Sequence, residues 1–257
     1  MESELALWVY ALLFGVAVFA GFIDAVAGGG GLIALPALLA VGLPEHLALG
    51  TNKLQGCFGT LSATFNFARK GYVEWRKIAI GIFFTLLGAI LGTLSVLAID
   101  PSFLRFLIPV LLVGIFIYTL SGSNFKTQAK KALMKENAFY IVFGLILGFY
   151  DGFFGPGAGS FWTFAMLALI ALETKRAVAH TKALNFTSNI VSLSVFIAGG
   201  QVLWILGFVM GAGQLIGGYL GAHMVIKKEA GFVRIIFLCV VAATTLKLLY
   251  DGIKSLY

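Results

Sequence analysis

Residues 21–31 read GFIDAVAGGGG and residues 148–157 read GFYDGFFGPG, so an aspartate precedes a glycine cluster twice in the chain. The residues around both stretches are almost all Ala, Leu, Val, Ile and Phe. Asp24 and Asp151 therefore lie in apolar surroundings, where a charged group is costly unless it faces a partner or a cavity. The two stretches predict where the fold bends and where its polar site lies.

The composition predicts an all-α polytopic membrane protein. Of 257 residues, 60% are hydrophobic and 11% are charged, and the mean hydropathy is +0.99. Soluble domains carry roughly 25% charged residues, whereas apolar runs of about 20 residues, long enough to cross a lipid bilayer as helices, recur along this chain. The net charge of +7 lies mostly in short loops, which is typical of cytoplasmic loops and argues against a nucleic-acid partner. The two cysteines have no ligand-like spacing, and neither a metal nor a cofactor is predicted.

The chain contains an internal repeat. A shift of 127 residues superimposes the two aspartate–glycine stretches, and after a two-residue insertion a shift of 129 holds for the rest of each half. Such a constant register over more than half of each repeat indicates two copies of one fold. The matched pairs include Gly21 with Gly148, Asp24 with Asp151, Gly30 with Gly157, Lys53 with Lys182, Trp75 with Trp204, and Arg105 with Arg234.

Each half contains about five hydrophobic segments, and the second of each half is short. Residues 32–43 and 160–172 would form helices of roughly 18 Å, too short to span a bilayer upright. We therefore predict a glycine-rich broken or re-entrant element in each half; whether the short segments cross the membrane stays open. The predicted organisation is a first membrane repeat at 1–120, a basic cytoplasmic linker at 121–137 and a second membrane repeat at 138–257. The predicted segments are 5–27, 32–43, 47–68, 78–99 and 102–120, then 138–154, 160–172, 177–198, 203–226 and 232–250.

The loop charges predict that the two repeats have inverted topology. The connection at 69–77 carries four basic residues, whereas its counterpart at 198–204 carries none. Because basic loops stay in the cytoplasm, the halves face opposite ways in the cytoplasmic (inner) membrane, and both termini are predicted to be external. Inverted repeats are typical of secondary transporters, whose site lies near the bilayer midplane where the repeats meet.

The charged residues predicted within the membrane form two repeat-related sets, Asp24 with Lys53 and Asp151 with Lys182. Helix N-termini expected near residues 31 and 158 would add positive dipole ends. We predict a cationic, donor-rich cavity for a small anion. The substrate-binding candidates are Lys53, Lys182, Asn52, Thr51, Thr181, Asn185, Gly29, Gly30 and Gly157.

A coupling or structural role is predicted for four further residues, Asp24, Asp151, Gly155 and Pro156. The two aspartates either pair with a lysine, cap exposed amides or carry protons. Gln214, a lone polar residue in an apolar helix, is expected to bridge helices rather than to line the site. His180 stands at the position where the first half has Thr51.

These motifs resemble the sulfite exporter TauE/SafE family over essentially the whole chain. The resemblance lies in GFIDAVAGGGG with GTNK (50–53) and in GFYDGFFGPGAGSFW (148–162) with HTKALN (180–185). It implies a permease for sulfite, sulfonates, sulfoacetate or related sulfur-containing or organic anions. It also implies importance for the glycines at 28–31, Asn52, Lys53, Asp151, Gly155, Pro156, Gly157, Thr181, Lys182 and Asn185. The first half has no proline where the second has Pro156.

The predicted function is secondary active transport of such an anion, coupled to protons. A passive anion channel on the same fold is the alternative, and an intramembrane enzyme using Asp24 and Asp151 is a further one. No enzyme is predicted, because the sequence has neither H-E-x-x-H nor G-x-S-x-G, and no P-loop for ATP. The sequence leaves open whether the chain forms a homo-oligomer.

Overall fold

The computed structural model describes residues 5–120 and 131–227, with side chains described at 5–115 and 131–227. These residues form helices only, which confirms the all-helical prediction for this part of the chain. The predicted segment at 232–250 and most of the predicted linker lie outside it. The helices are α1 (Leu7–Ala27), α2 (Gly31–Ala40), α3 (Glu45–Arg69), α4 (Trp75–Leu97), α5 (Pro101–Leu120), α6 (Glu136–Phe153), α7 (Ala158–Leu169), α8 (Thr174–Ala198) and α9 (Trp204–Lys227).

Helix α1 and helix α6 each stop at a glycine-containing break. Gly28 follows α1 with φ +79° and donates its N–H to the Asp24 carbonyl oxygen at 2.8 Å. Gly157, with φ +84°, precedes α7. Both positions need the left-handed conformation that glycine adopts without strain. The helices that follow, α2 and α7, have 10 and 12 residues, or roughly 15 and 18 Å.

Helices α1, α4 and α9 are long and apolar enough to cross a membrane, with mean hydropathies of 2.2, 2.3 and 1.4. Helix α1 packs closely against α9, and α4 packs closely against α6. Glycines bring the backbones together in both: a Cβ atom at Gly92 would lie 2.1 Å from the Phe149 carbonyl oxygen, and one at Gly217 would lie 2.0 Å from that of Val18. Such small-residue contacts are typical of membrane helix pairs. Each pair joins one helix from each half of the chain.

Helices α3 and α8 form the centre and run antiparallel. Near the end of α3, the Glu74 N–H donates to His180 Nε2 at 3.1 Å, early in α8. At the opposite end, Gly50 at the start of α3 lies against Phe196 near the end of α8. Both helices have 25 residues and bury most of their polar side chains. Their polar groups therefore face protein rather than lipid.

An ion pair lies at each end of the described bundle. At one end Glu74 pairs with Arg176 at 3.0 Å, which joins the basic connections at 69–77 and 173–176. At the other end Glu45 pairs with Arg105 at 3.0 Å. The basic loops of both halves therefore lie on the same side of the molecule.

Candidate functional site

A cavity of about 40 Å³ lies where the two glycine breaks meet α3 and α8. A cavity needs roughly 10–15 Å³ of such volume to hold one water molecule, so this cavity has room for about three waters or one compact polyatomic ion. The lining residues are Asp24, Gly28, Gly30, Gly31, Asn52, Lys53, Gly56, Thr60, Asp151, Gly155, Gly157, Gly159, Asn185, Asn189 and Gln214.

Two buried ion pairs cross between the halves of the chain at this cavity. Lys53 Nζ lies 2.7 Å from Asp151 Oδ1, and the two side chains are 2% and 5% exposed. Lys182 Nζ lies 2.9 Å from Asp24 Oδ2, with exposures of 1% and 16%. Each lysine therefore pairs with the aspartate of the opposite half.

Each lysine also closes the end of a broken helix. Lys53 Nζ donates to the main-chain carbonyl of Asp151, in the last turn of α6. Lys182 Nζ donates to the main-chain carbonyl of Asp24, in the last turn of α1. The C-terminal end of a helix carries a partial negative charge and unpaired carbonyls, so a cation there stabilises the break.

The second oxygen of each carboxylate also has a donor. Asp24 Oδ1 accepts the Gly30 N–H at 3.2 Å, and Asp151 Oδ2 accepts the hydroxyl of Ser188. The aspartates thus pair with a lysine, as one of the predicted alternatives has it, and Asp24 also caps an amide. Whether they carry protons stays a prediction.

The two ion pairs carry no net charge, although the lysines predicted a cationic cavity. Lys53 and Lys182 contribute two positive charges, and Asp24 and Asp151 contribute two negative ones. The other lining side chains are uncharged, so the formal charge around the cavity sums to zero. The sequence shows all four groups, but their mutual pairing follows only from the crossing of the halves.

The lining is otherwise rich in backbone and amide groups. Helices α2 and α7 begin at the cavity. The Gly30 N–H at the start of α2 donates to Asp24 Oδ1, whereas no side chain caps the start of α7. Asn52 Oδ1 accepts from Gln55 Nε2 at 2.9 Å, and Asn189 Nδ2 lies 3.5 Å from Thr60 Oγ1. Asn185 is 5% exposed, and its Oδ1 has no hydrogen-bond partner among the described residues. Two helix N-termini and an unsatisfied amide therefore face one small space.

The two breaks touch backbone to backbone. A Cβ atom at Gly28 would lie 2.3 Å from the Gly159 carbonyl carbon. Ser160 Oγ donates to the Ala27 carbonyl oxygen at 2.6 Å, which supplies a partner to another carbonyl at the end of α1. Pro156 packs against Gly31, where a Cβ atom would lie 3.1 Å from the proline Cα.

Most of the predicted site residues come together at the cavity. Those that line it are Lys53, Asn52, Asn185, Gly30, Gly157, Gly155, Asp24 and Asp151. Lys182 is not a lining residue but reaches the cavity wall through its contact with Asp24. Thr51, Thr181, Gly29 and Pro156 are not among the lining residues. Thr181 Oγ1 instead shares a hydrogen bond of 3.1 Å with Thr163 Oγ1 and is fully buried.

Thr51 has a structural contact that its repeat partner shares. Thr51 Oγ1 accepts the Leu203 N–H at 3.1 Å, just before α9. His180 Nε2 accepts the Glu74 N–H at 3.1 Å, just before α4. The shift of 129 residues relates Thr51 to His180 and Glu74 to Leu203. The threonine and the histidine therefore accept the equivalent backbone N–H in the two halves.

Sequence reasoning missed Gln214 and Thr60 as lining residues. Gln214 does bridge helices, with Nε2 lying 3.5 Å from Gln55 Oε1, and it lines the cavity as well. Helical spacing could have found Thr60, because Asn52, Gly56 and Thr60 recur every four residues on one face of α3.

The comparisons with known proteins decide the family. The family model described as "Sulfite exporter TauE/SafE" matches residues 13–248. The chain belongs to the TauE/SafE family. The TauE/SafE resemblance of the motifs is thereby confirmed, and with the apolar helices it establishes a membrane protein.

Relatives of this TauE/SafE chain match over nearly its whole length. It is 43% identical to a "Probable membrane transporter protein" of Haemophilus influenzae, over 96% of this chain and 97% of the relative. It is 42% identical to "Probable membrane transporter protein YfcA" of Escherichia coli, over 98% and 93%, and 38% identical to "Probable membrane transporter protein ORF9" of a Sinorhizobium species, over 97% and 95%. No solved structure matches the chain.

Proposed function

We propose that the chain is a secondary active transporter that moves a small anion across the cytoplasmic membrane. The observation that carries this proposal is the pair of crossed ion pairs, Lys53–Asp151 and Lys182–Asp24, around a cavity at two helix N-termini. Buried charges within a membrane protein are costly and usually serve transport or a proton relay. The relatives named as membrane transporters support the same function.

Two inverted-topology repeats are part of the proposal. The antiparallel α3 and α8, and the equivalent pairs α1–α9 and α4–α6, support an inversion between the halves. The basic loops lie on one side, joined by the Glu74–Arg176 pair, which supports a cytoplasmic position for that side. The chain termini are then external, and α2 and α7 form the broken elements that meet near the midplane.

Proton coupling follows from the same pairs. Protonation of Asp151 removes the counter-charge of Lys53, which then has a positive charge to offer to an anion. Binding of the proton and of the anion are thereby linked, as co-transport requires. The substrate candidates are sulfite, sulfonates and related sulfur-containing or organic anions, because these are the anions that the family is linked to.

Uptake of labelled sulfite into proteoliposomes, with a sulfonate in parallel, tests the proposal. We expect saturable uptake that rises when an inward proton gradient is imposed. Asp151→Asn should keep exchange of anion for anion but lose the response to the gradient, whereas Asp100→Asn, an exposed control, should behave as the unchanged protein. Uptake that neither saturates nor accumulates would favour the passive channel. No uptake of either anion by folded protein would refute the assignment of these substrates.

A further inference from the structure

Three amide side chains follow one another at the wall of the cavity. Gln214 Nε2 lies 3.5 Å from Gln55 Oε1, and Gln55 Nε2 donates to Asn52 Oδ1 at 2.9 Å. Gln214 and Asn52 line the cavity, whereas Gln55 is fully buried and is not a lining residue. This amide chain therefore begins on α9, in the second half of the protein, and ends at a lining residue of α3, in the first half.

Two glycines fix which end of the Gln214 amide faces Gln55. A Cβ atom at Gly59 would lie 2.4 Å from Gln214 Oε1, and one at Gly21 would lie 2.8 Å from the same oxygen. Each glycine therefore turns a Cα–H group toward this atom, and a Cα–H group is a weak donor that suits an oxygen rather than an N–H. The nitrogen of Gln214 is left to donate to Gln55, so the amide chain has one direction.

This direction decides what Asn52 offers to the cavity. An asparagine side chain has one oxygen that accepts hydrogen bonds and one nitrogen that donates them. The Asn52 oxygen is engaged by Gln55, whereas its Nδ2 has no hydrogen-bond partner among the described residues. The amide chain thus leaves the N–H groups of Asn52 as donors for a ligand in the cavity.

The second half of the protein lacks this amide chain, although it repeats the sequence pattern of the first. The shift of 129 residues places Leu184 at the position of Gln55. The same shift places Thr85 at the position of Gln214, and Thr85 Oγ1 has no hydrogen-bond partner among the described residues. Leu184 is as fully buried as Gln55. The repeated fold therefore accepts a leucine at this position and does not itself require the amide.

We infer that Gln55 is a positioning residue of the transport site, which holds the Asn52 amide with its N–H donors available to the cavity. Gln55 acts through Asn52 and does not touch the ligand, and Gln214 in turn orients Gln55. The inference rests on the proposed function, because donors at this place serve a ligand that accepts hydrogen bonds. The packing of α9 against α3 thereby orients a binding group of the opposite half.

A double-substitution cycle in proteoliposomes tests this role. Uptake of labelled sulfite under an imposed proton gradient is measured for the unchanged protein, Asn52→Ala, Gln55→Leu and the variant with both substitutions. Leucine is the replacement because the equivalent position of the second half already holds a buried leucine. Each protein gives a KM and a maximal rate per folded molecule, with the folded amount measured as monodisperse protein in detergent before reconstitution.

The effect of Gln55→Leu should depend on the presence of Asn52. Asn52→Ala should raise the KM about tenfold, from the loss of a hydrogen bond to a charged ligand. Gln55→Leu should raise it about threefold, because an Asn52 amide that is no longer held presents its donors only part of the time. The double variant should match Asn52→Ala alone, at about tenfold and not about thirtyfold. The maximal rate should change little, as expected when only binding is weakened.

Thr85→Val is the matched control for the loss of a buried polar group. Thr85 is fully buried at the repeat position of Gln214 and does not line the cavity, so this variant should keep the KM of the unchanged protein. An unchanged KM in Gln55→Leu would overturn the inference. So would a lower maximal rate or folded yield with no change in KM, because Gln55 would then only support the fold.

The inference and the proposed function fail in different ways. If Gln55→Leu raises the KM by the same factor with and without Asn52, Gln55 acts apart from Asn52, and the positioning role is wrong while anion transport stands. If folded, unchanged protein takes up neither sulfite nor a sulfonate, the proposed function fails for these anions and the inference fails with it.

Discussion

Breaking the Lys53–Asp151 pair should destabilise the protein strongly. Lys53→Met removes the ammonium group and leaves the Asp151 carboxylate, 5% exposed, without its cation. Removing one partner of a buried pair costs about 3–5 kcal/mol. At about 2–4 °C per kcal/mol for a chain of this size, the midpoint of thermal unfolding should fall by about 6–20 °C.

The double variant Lys53→Met/Asp151→Asn should recover most of that loss. It leaves no uncompensated charge. In the unchanged protein the Ser188 hydroxyl donates to the Asp151 carboxylate, and the side-chain oxygen of the introduced asparagine can accept the same hydrogen bond. The coupling energy between the two substitutions should be roughly 2–3 kcal/mol. Lys77→Met is the matched control, because Lys77 is 46% exposed and pairs with Glu74 at 3.3 Å; it should cost under about 1 kcal/mol.

The assay is the fraction of purified protein that stays monodisperse in detergent after heating, measured for the four members of the cycle and the control. A single substitution that costs no more than Lys77→Met would refute the reasoning, since it would mean that water reaches the pair. Equal losses in the single and double variants would also refute it, because the pair would then contribute no coupling. Breaking the second pair, Lys182–Asp24, should lower the stability less, because Asp24 is 16% exposed.

Two further substitutions test the framework of the site. Gly28→Ala should prevent assembly of a stable bundle, because its Cβ would lie 2.3 Å from Gly159. The control Gly42→Ala should cost only about 1 kcal/mol of backbone strain, because Gly42 has φ +86° but no atom lies within 4 Å of the added Cβ. Similar yields of folded protein from both variants would contradict the close contact at Gly28. Thr51→Val should lower stability by about 1–3 kcal/mol, since the buried Leu203 N–H loses its acceptor, and should leave the relative affinities for competing anions unchanged; altered selectivity would instead return Thr51 to the binding site.

The ends of the helices could be predicted from the sequence because glycine and proline act locally. The positions of Gly28 and Gly157 require a backbone conformation that few other residues adopt, and this property shows in the sequence itself. The four charged residues were equally visible, since charge in an apolar run is rare. The breaks and the charged groups could therefore be located before any tertiary structure was known.

The face of each central helix could not be predicted. Helix α8 is buried on nearly every side from Ala177 to Ser188, so apolar periodicity gives no sign of which polar residue faces the cavity. Thr181 and Asn185 are both polar residues one helical turn apart, and the sequence does not distinguish their roles. In the structure Thr181 shares a hydrogen bond with Thr163, whereas Asn185 lines the cavity. Residues on other helices, such as Gln214, enter the site only through packing across the two halves.

The crossed ion pairs also constrain how the protein is made. Asp151 follows its partner by 98 residues and Lys182 follows its partner by 158, so at about 5–20 residues per second the ribosome needs roughly 5–20 s and 8–30 s to supply them. Throughout that interval Asp24 and Lys53 lie in the new first half without their counter-charges. The N-terminal half alone is thus an unfinished insertion intermediate, and a chain truncated before residue 151 should be a substrate for membrane quality control.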